Sequence, residues 1–346
     1  MSEASTGRVI LAGDVGGSKC ELGLFEVTPG GSKASSSEGD APGLRSIRVA
    51  RLPSRDADTF EAIVTRFLGA NPPPIELTCV GVAGPVQDGT ARGVNLPWVV
   101  DAAALGREIG CERVHLLNDL EATAYGTLYQ PESALHTLHE GIPKDGNRGV
   151  IAAGTGLGQA FLFWDGQRYV PAATEGGHVD FAPRDELEFG LLQYLKARYQ
   201  RVSYERVLSG PGLFNVFSFL RDECGRKVDP RVAERIELED PNAVVGEAGV
   251  SGQCATCEEA VERFVSFYGT QAGNLALTVM ATGGIYVGGG IVTKILTKMT
   301  SGRFLESFRD KGRYVSFMND IPVHILLDPG TSLIGAAQMG RRLLGS

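Results

Sequence analysis

Positive charge is scarce in this chain: 33 Lys and Arg stand against 41 Asp and Glu, a formal net charge of −8, and no Lys/Arg cluster occurs. A duplex-binding protein carries a basic footprint, so no nucleic-acid partner is expected. Any anionic ligand has to be held locally, by backbone N–H groups or a metal. Cysteine is sparse too. Cys20, Cys79, Cys111, Cys224, Cys254 and Cys257 are scattered over 346 residues, which suits a reducing, cytoplasmic setting better than a disulfide scaffold. Cys254-x-x-Cys257 has no second cysteine pair and no nearby His, so a zinc site is not expected. Met1–Gly7 is short and polar before the apolar run at Val9, leaving no room for a secretory signal. Phe264–Thr293 carries no charge, yet Gln271, Gly273, Asn274 and the glycines at 283–284 and 288–290 interrupt it. A buried helix, turn and strand fit it better than the ~20 apolar residues of a membrane span. Two nucleotide motifs are missing as well. No G-x-x-x-x-G-K-[ST] occurs, and Gly154–Gly158 precedes a strand where a dinucleotide fingerprint needs a helix.

Glycine, by contrast, is abundant. Forty-six glycines in 346 residues is roughly 13 %, against about 7 % in average usage. With 43 % hydrophobic residues the chain is neither collagen-like nor disordered, and its length suggests two domains. Strand-like and helix-like segments alternate, the pattern of an α/β protein. Strands are expected at Arg8–Ala12, Glu21–Glu26, Thr78–Ala83, Arg113–Leu117, Ala160–Trp164, Ile285–Val287 and Pro322–Leu327. Helices are expected at Thr59–Leu68, Ala102–Ile109 (capped by Asp101, closed by Gly110), Leu187–Tyr199, Glu205–Leu208, Ile291–Lys298 and Ser332–Leu344. Thr256-x-x-Glu259 reads as a capping box for a long helix reaching Met280. Thr28–Ser46 reads as a surface excursion, and Pro131–Arg148 shows little periodicity.

Three glycine turns can expose consecutive N–H groups to an anion. The first is Asp14-Val-Gly16-Gly17-Ser18, where Asp14 can hold Mg²⁺ directly or through water. The second is Gly154-Thr155-Gly156-Leu157-Gly158. The third is Gly288-Gly289-Gly290, read as opening a helix whose N-terminus favours a nucleotide. The first two echo each other about 140 residues apart, the sign of a duplicated domain. Their plain alternative is that they merely close hairpins.

With Gly13-Asp-Val-Gly-Gly-Ser, the stretches Val82-Ala-Gly-Pro-Val, Asn95-Leu-Pro-Trp, Leu117-Asn-Asp-Leu-Glu-Ala, Gly154-Thr-Gly-Leu-Gly, Glu175-Gly-Gly-His-Val-Asp-Phe-Ala-Pro, Glu205-Arg-Val-Leu-Ser-Gly-Pro-Gly and Gly288-Gly-Gly-Ile-Val complete a pattern. It resembles the bacterial-type glucokinases of the hexokinase/actin-like superfamily over nearly the whole chain. The resemblance implies a two-lobed α/β, ribonuclease H-like fold with a cleft between a smaller and a larger domain. The small domain would span 1–117, completed by the C-terminal helix at 329–346, and the large one 118–328. It implies phosphorylation of the 6-hydroxyl of glucose from ATP with Mg²⁺, and it suggests a homodimer.

Phosphoryl transfer needs a carboxylate at the attacking hydroxyl, and the family's Asn-Asp pair puts Asp119 in that role. From position alone Asp119 serves equally as the cap of a helix starting near Leu120. Asn118 binds a sugar hydroxyl or forms an Asx turn. Glu175 and His178, separated by two glycines, read as a loop presenting a carboxylate and an imidazole, and the resemblance assigns both to the sugar. The plainer reading for His178 is a satisfied structural histidine. Glu205 follows Ser203, a plausible cap, so its plain role is dipole compensation; the resemblance makes it another sugar-hydroxyl acceptor. Gly16, Gly17, Ser18, Gly154, Thr155, Gly156, Gly158 and Gly288–Gly290 fall to ATP, and Asn95 and Trp98 to the sugar-side loop. One departure stands out. Such glucokinases continue the first turn as Thr-Asn-x-Arg; here it is Ser18-Lys19-Cys20-Glu21, with Lys19 near the phosphates or in solvent. The Cys/His zinc motif of the related repressor/sugar-kinase group is absent. Two other readings of the same pattern are a non-catalytic sugar or nucleotide sensor, or a kinase for another hexose; an actin-like structural ATPase is a third, and it would not need the Glu175/His178/Glu205 set.

Overall fold

A computed structural model describes residues 7–28, 41–93, 96 and 98–345. The chain divides into two compact units, Met1–Pro131 with Val170–Ala173 and Asp328–Ser346, and Glu132–Tyr169 with Thr174–Leu327.

The first unit starts with β1 (Val9–Val15), buried along its length except at Asp14. It continues through β2 (Lys19–Val27), β3 (Leu44–Pro53), α1 (Phe60–Leu68) and β4 (Leu77–Val82). Two-residue strands β5 (Val86–Gln87), β6 (Thr90–Ala91) and β7 (Val100–Asp101) form a small sheet. Then come α2 (Ala102–Ile109), β8 (Val114–Asn118) and α3 (Asp119–Gly126). Asp101 caps α2 as expected, accepting from the Ala104 N–H (2.7 Å), and Thr59, the expected first residue of α1, is its cap instead, accepting from the Ala62 N–H (3.2 Å). Gly110 closes α2 in the left-handed conformation. The main sheet runs β3-β2-β1-β4-β8.

The second unit contributes β9 (Leu135–His139), β10 (Arg148–Ala153) and β11 (Leu157–Trp164); β12 (Tyr169–Thr174), which follows, pairs into the same sheet although its Val170–Ala173 group with the first unit. Next come α4 (Glu186–Tyr199), α5 (Gly210–Asp222), α6 (Pro230–Leu238), α7 (Pro241–Val250) and α8 (Ala255–Val279). β13 (Gly284–Gly288), α9 (Leu296–Met299), α10 (Arg303–Arg309), α11 (Val315–Asp320) and β14 (Val323–Leu326) complete it. The last helix, α12 (Thr331–Leu343), belongs to the first unit. There the Arg8 and Arg113 guanidinium groups donate to the carbonyls of Leu344 (3.0 Å) and Leu343 (2.6 Å).

The second sheet runs β12-β11-β10-β13-β14-β9, and its first five places repeat the first sheet. β1 is antiparallel to β2 and parallel to β4; β10 is antiparallel to β11 and parallel to β13. β4 is parallel to β8 as β13 is to β14. The short echo seen in the sequence is thus a repeat of topology. The second copy carries five helices between β12 and β13. Their core gathers around α8, where Phe264, Phe267, Tyr268, Phe304 and Phe308 are fully buried, each contributing about 1.5–3 kcal/mol relative to exposure. The uncharged stretch at 264–293 is a buried helix, a turn and a strand, and no helix among the described residues is long and apolar enough to cross a membrane.

Five expectations need correction. Residues 29–40 of the proposed excursion lie outside the described residues, but Leu44–Ser46 open β3, an edge strand disguised by its exposed Arg45, Arg48 and Arg51. The unpatterned stretch before Arg148 contains β9. Glu205 sits in a 3₁₀ turn (Tyr204–Arg206), not an α-helix. The long helix α8 exists without its capping box: the Thr256 hydroxyl donates to the Lys227 carbonyl (2.6 Å), Glu259 pairs with Arg226, and Cys254 is the cap residue. Residues 290–295 form turns before the four-residue α9, so the third glycine turn does not open a helix.

Candidate active site

Parallel register brings the C-terminal ends of β1, β4 and β8 level, with Val15 beside Val82 and Val82 beside Asn118. Ligands bind at that edge in open α/β sheets, and Asp14, Gly16–Ser18, Asn118 and Asp119 all lie there. In the first turn the Gly16 N–H donates to the Lys19 carbonyl (3.0 Å), and the Ser54 hydroxyl donates to the Gly16 carbonyl (2.6 Å). Among the described residues, nothing accepts from the N–H groups of Gly17 and Ser18. Lys19 is exposed, while Glu21 is buried and pairs with Arg51 at 3.1 Å. Asp14 accepts from the Ser332 hydroxyl at 2.9 Å. Burial pushes the Asp14 carboxyl up to about 6, against the opposing pull of that hydrogen bond.

Capping of α3 falls to Asn118. Its side-chain oxygen accepts from Leu120 (2.9 Å) and Glu121 (3.4 Å), its own N–H donates to Glu121, and its amide donates to the Gly84 carbonyl (3.1 Å). Asp119 therefore occupies the first helical position, where the N-terminus of α3 favours an ionised carboxylate. Its Oδ1 accepts from the Leu120 N–H at 3.0 Å, and its carbonyl from Ser332 at 3.3 Å. Ser332 thus joins Asp14 to the Asp119 backbone. Sequence reading missed it because 213 residues separate Ser332 from Asp119 and nothing local marks it.

In the second unit the turn after β10 is tighter. The Gly154 N–H donates to the Gly156 carbonyl, and the Gly210 N–H to the Gly154 carbonyl, both at 2.8 Å. The Leu157 N–H donates to Glu205 Oε2 (3.0 Å). Thr155 and Gly156 keep N–H groups with no acceptor among the described residues, and Gly158 pairs with Ala152 in the sheet. Glu175 precedes a 3₁₀ turn (Gly176–His178), so the loop reading of this segment holds. His178 lies 4.0 Å from Glu175 Oε2 through Nε2 and 4.0 Å from Glu205 Oε1 through Nδ1. Glu175 and His178 are exposed; Glu205 keeps 26 % of its side chain accessible. Gly288–Gly290 reach the same sheet edge. The buried Tyr268 hydroxyl donates to the Gly288 carbonyl (2.7 Å) and accepts from the Ala153 N–H (2.9 Å). Gly289 has φ 94°, and a Cβ there would sit 2.1 Å from the Ala153 carbonyl oxygen.

The glucokinase family profile matches residues 11–343. The chain belongs to the glucokinase family. It is 39 % identical to the glucokinase of Nostoc punctiforme, over 97 % of this chain and 99 % of that one. Its fold matches the crystal structure of a glucokinase from an Antarctic psychrotroph with a TM-score of 0.77 and 25 % identity, covering 96 % and 99 % of the two chains. The glucokinase of Balamuthia mandrillaris, solved in complex with glucose, also gives 0.77 at 19 % identity, covering 98 % and 95 %. Membership makes the chain an ATP-dependent sugar kinase of the two-domain actin-like ATPase fold, which sets aside the sensor and structural-ATPase readings.

Two of the expected positions carry less. Asn95 lies outside the described residues, and Trp98 packs on Phe60 with ring centroids 5.5 Å apart. All six cysteines are free, and no group of three or more His, Cys, Asp or Glu among the described residues has metal-holding geometry.

Proposed function

We propose that this glucokinase-family chain transfers the γ-phosphoryl group of ATP to the 6-hydroxyl of glucose, with Asp119 accepting the hydroxyl proton. The Glu175–His178–Glu205 array carries the sugar reading. Its two carboxylates face an imidazole and pair with no Lys or Arg among the described residues, which suits acceptors for sugar O–H donors. Asn118 fixes the start of α3 and keeps one amide N–H for a sugar oxygen. A carboxylate at the attacking hydroxyl orients it and accepts its proton.

ATP phosphates are assigned to the Gly17 and Ser18 N–H groups, with Thr155 and Gly156 supplying a second pair and Gly288–Gly290 the nucleoside end. Mg²⁺ characteristically takes one or two carboxylates plus waters and phosphate oxygens, and Asp14 beside the first turn fits that donor set. When bound, the ion neutralises charge on the transferring phosphoryl group. A cytoplasmic setting is supported by the six free cysteines.

The test is a coupled assay with Mg-ATP across glucose, mannose, fructose and N-acetylglucosamine. Glucose is expected to be turned over with the highest kcat/KM. A clear preference for another hexose overturns the glucose assignment, and turnover of none overturns the proposal. Light scattering in solution tests the suggested homodimer.

A further inference from the structure

Behind the Gly176 loop, the second unit holds a chain of buried and half-buried polar side chains with a fixed direction. Lys311 Nζ donates to Asn274 Oδ1 (2.9 Å) and to the Thr270 carbonyl (3.1 Å). Asn274 Nδ2 donates to Gln271 Oε1 (2.9 Å) and to the Tyr204 hydroxyl (3.4 Å). Gln271 Nε2 then reaches the Gly176 carbonyl at 3.5 Å, and Gln159 Nε2 donates to the same oxygen at 3.2 Å. Gln271, Gln159 and Tyr204 are 2–3 % exposed. Partners in such surroundings are specified, because an unmatched polar group there costs its full desolvation.

A lysine ammonium only donates. It therefore turns the Asn274 oxygen toward itself and the Asn274 amide toward Gln271. That in turn presents the Gln271 oxygen to Asn274 and its amide to Gly176. The relay meets the sugar array at two points: its Gly176 end lies between Glu175 and His178, and Tyr204, its branch from Asn274, adjoins Glu205. Burial pushes the Lys311 amine down to about 8, so at neutral pH it remains the charged donor.

We propose that Lys311, Asn274 and Gln271 are positioning residues that set the orientation of the Gly176 carbonyl, and through it the placement of Glu175, His178 and Glu205 for sugar binding. This rests on the sugar role proposed above for those three side chains.

Asn274→Asp is the sharp test. The replacement is nearly isosteric and keeps an acceptor for Lys311, so the fold is retained, but it cannot donate to Gln271. Gln271 must then turn its amide toward the new carboxylate, which sets its oxygen against the Gly176 carbonyl oxygen. The KM for sugar is expected to rise about fivefold to tenfold, the scale of one lost hydrogen bond. The kcat at saturating sugar and the KM for ATP should stay within about twofold. Lys311→Met, which frees the relay's polarity, should shift sugar KM in the same direction by less, and Lys311→Arg, which keeps a donor, should restore it. An unchanged sugar KM in Asn274→Asp overturns the proposal. If Asn274→Asp does not fold, an unchanged sugar KM in Lys311→Met does so. Wild-type protein that phosphorylates no sugar would instead overturn the underlying assignment.

Discussion

The first sheet ends in a hairpin whose Gly17 and Ser18 N–H groups meet no acceptor among the described residues, and whose acidic residue, Asp14, is tucked beneath it on β1. The second ends in a hairpin with its Leu157 N–H taken by Glu205 and its acidic partner supplied from outside the sheet. The order of five strands is the same in both, and so is the direction of the four that run from β2 to β8 and from β11 to β14. The glutamate arrives on the five-helix segment between β12 and β13, where the corresponding segment of the first unit, between β3 and β4, carries only α1. A repeated backbone therefore presents the same sheet edge twice, and what each copy does there is decided by the side chains brought to it. Both edges keep a pair of N–H groups open to an anion, and the second adds a carboxylate that can meet hydroxyl groups.

The contrast can be tested by substitution. Asp119→Asn should have the largest effect, lowering kcat by about a hundredfold or more, the scale of a lost general base, while sugar affinity changes little. Steady-state kinetics with near-normal turnover would remove Asp119 from its proposed role. Glu205→Gln should leave kcat largely intact and raise sugar KM about tenfold, the cost of weakening a charge-assisted hydrogen bond. A matched pair of alanines probes the turns themselves. A Cβ at Gly156 would sit 2.6 Å from Glu205 Oε2, whereas one at Gly16 meets nothing closer than 3.4 Å. Gly156→Ala should push the carboxylate aside and raise sugar KM a few-fold, and Gly16→Ala should leave sugar KM unchanged. Equal effects on sugar KM would erase the difference between the two hairpins.

The smallest effect concerns Lys311, whose amine is pushed down to about 8 by burial from an ordinary value near 10.4. Between those values the unfolded chain binds more protons than the folded one, so stability rises with pH across that window. Denaturant unfolding should show wild type gaining on the order of 2 kcal/mol relative to Lys311→Met between about pH 8 and 10.5, a figure reduced from the full shift because the half-buried amine is partly screened by solvent. A constant difference would mean that Lys311 is as solvated as an ordinary lysine.

Local features were legible in the sequence. Apolar runs flanked by glycine gave the central strands, and Asp101 and Gly110 marked helix ends because each acts on N–H or C=O groups within four residues. The candidate residues were picked out by resemblance to a family, which short contiguous stretches can carry. What failed depended on distant partners. Thr256 and Glu259 have the spacing of a capping box, but Lys227 and Arg226 claim them. Helices α5, α6 and α7 went unread, although Ser209, Asp229 and Asp240 each precede a first turn carrying Pro211, Pro230 or Pro241, the usual start signal. The second hairpin's commitment to Glu205 and the Ser332 link between Asp14 and Asp119 are products of the fold alone.

Helix α12 has a consequence for how the protein is made. It packs on α3 so closely that a Cβ at Gly335 would lie 1.8 Å from the Ala122 carbonyl oxygen, and one at Gly126 2.0 Å from that of Thr331. Residues 328–346 are part of the first unit, yet they are translated after the whole of the second. During synthesis domains fold largely as units, N-terminal first; here the second unit is the first to be synthesised in full. The second unit has its entire sequence in hand while the first still exposes the α3 face that α12 will cover. Ser332 arrives with that helix, so Asp14 and Asp119 are joined only when translation has passed the last helix, and a nascent chain cannot assemble that edge early.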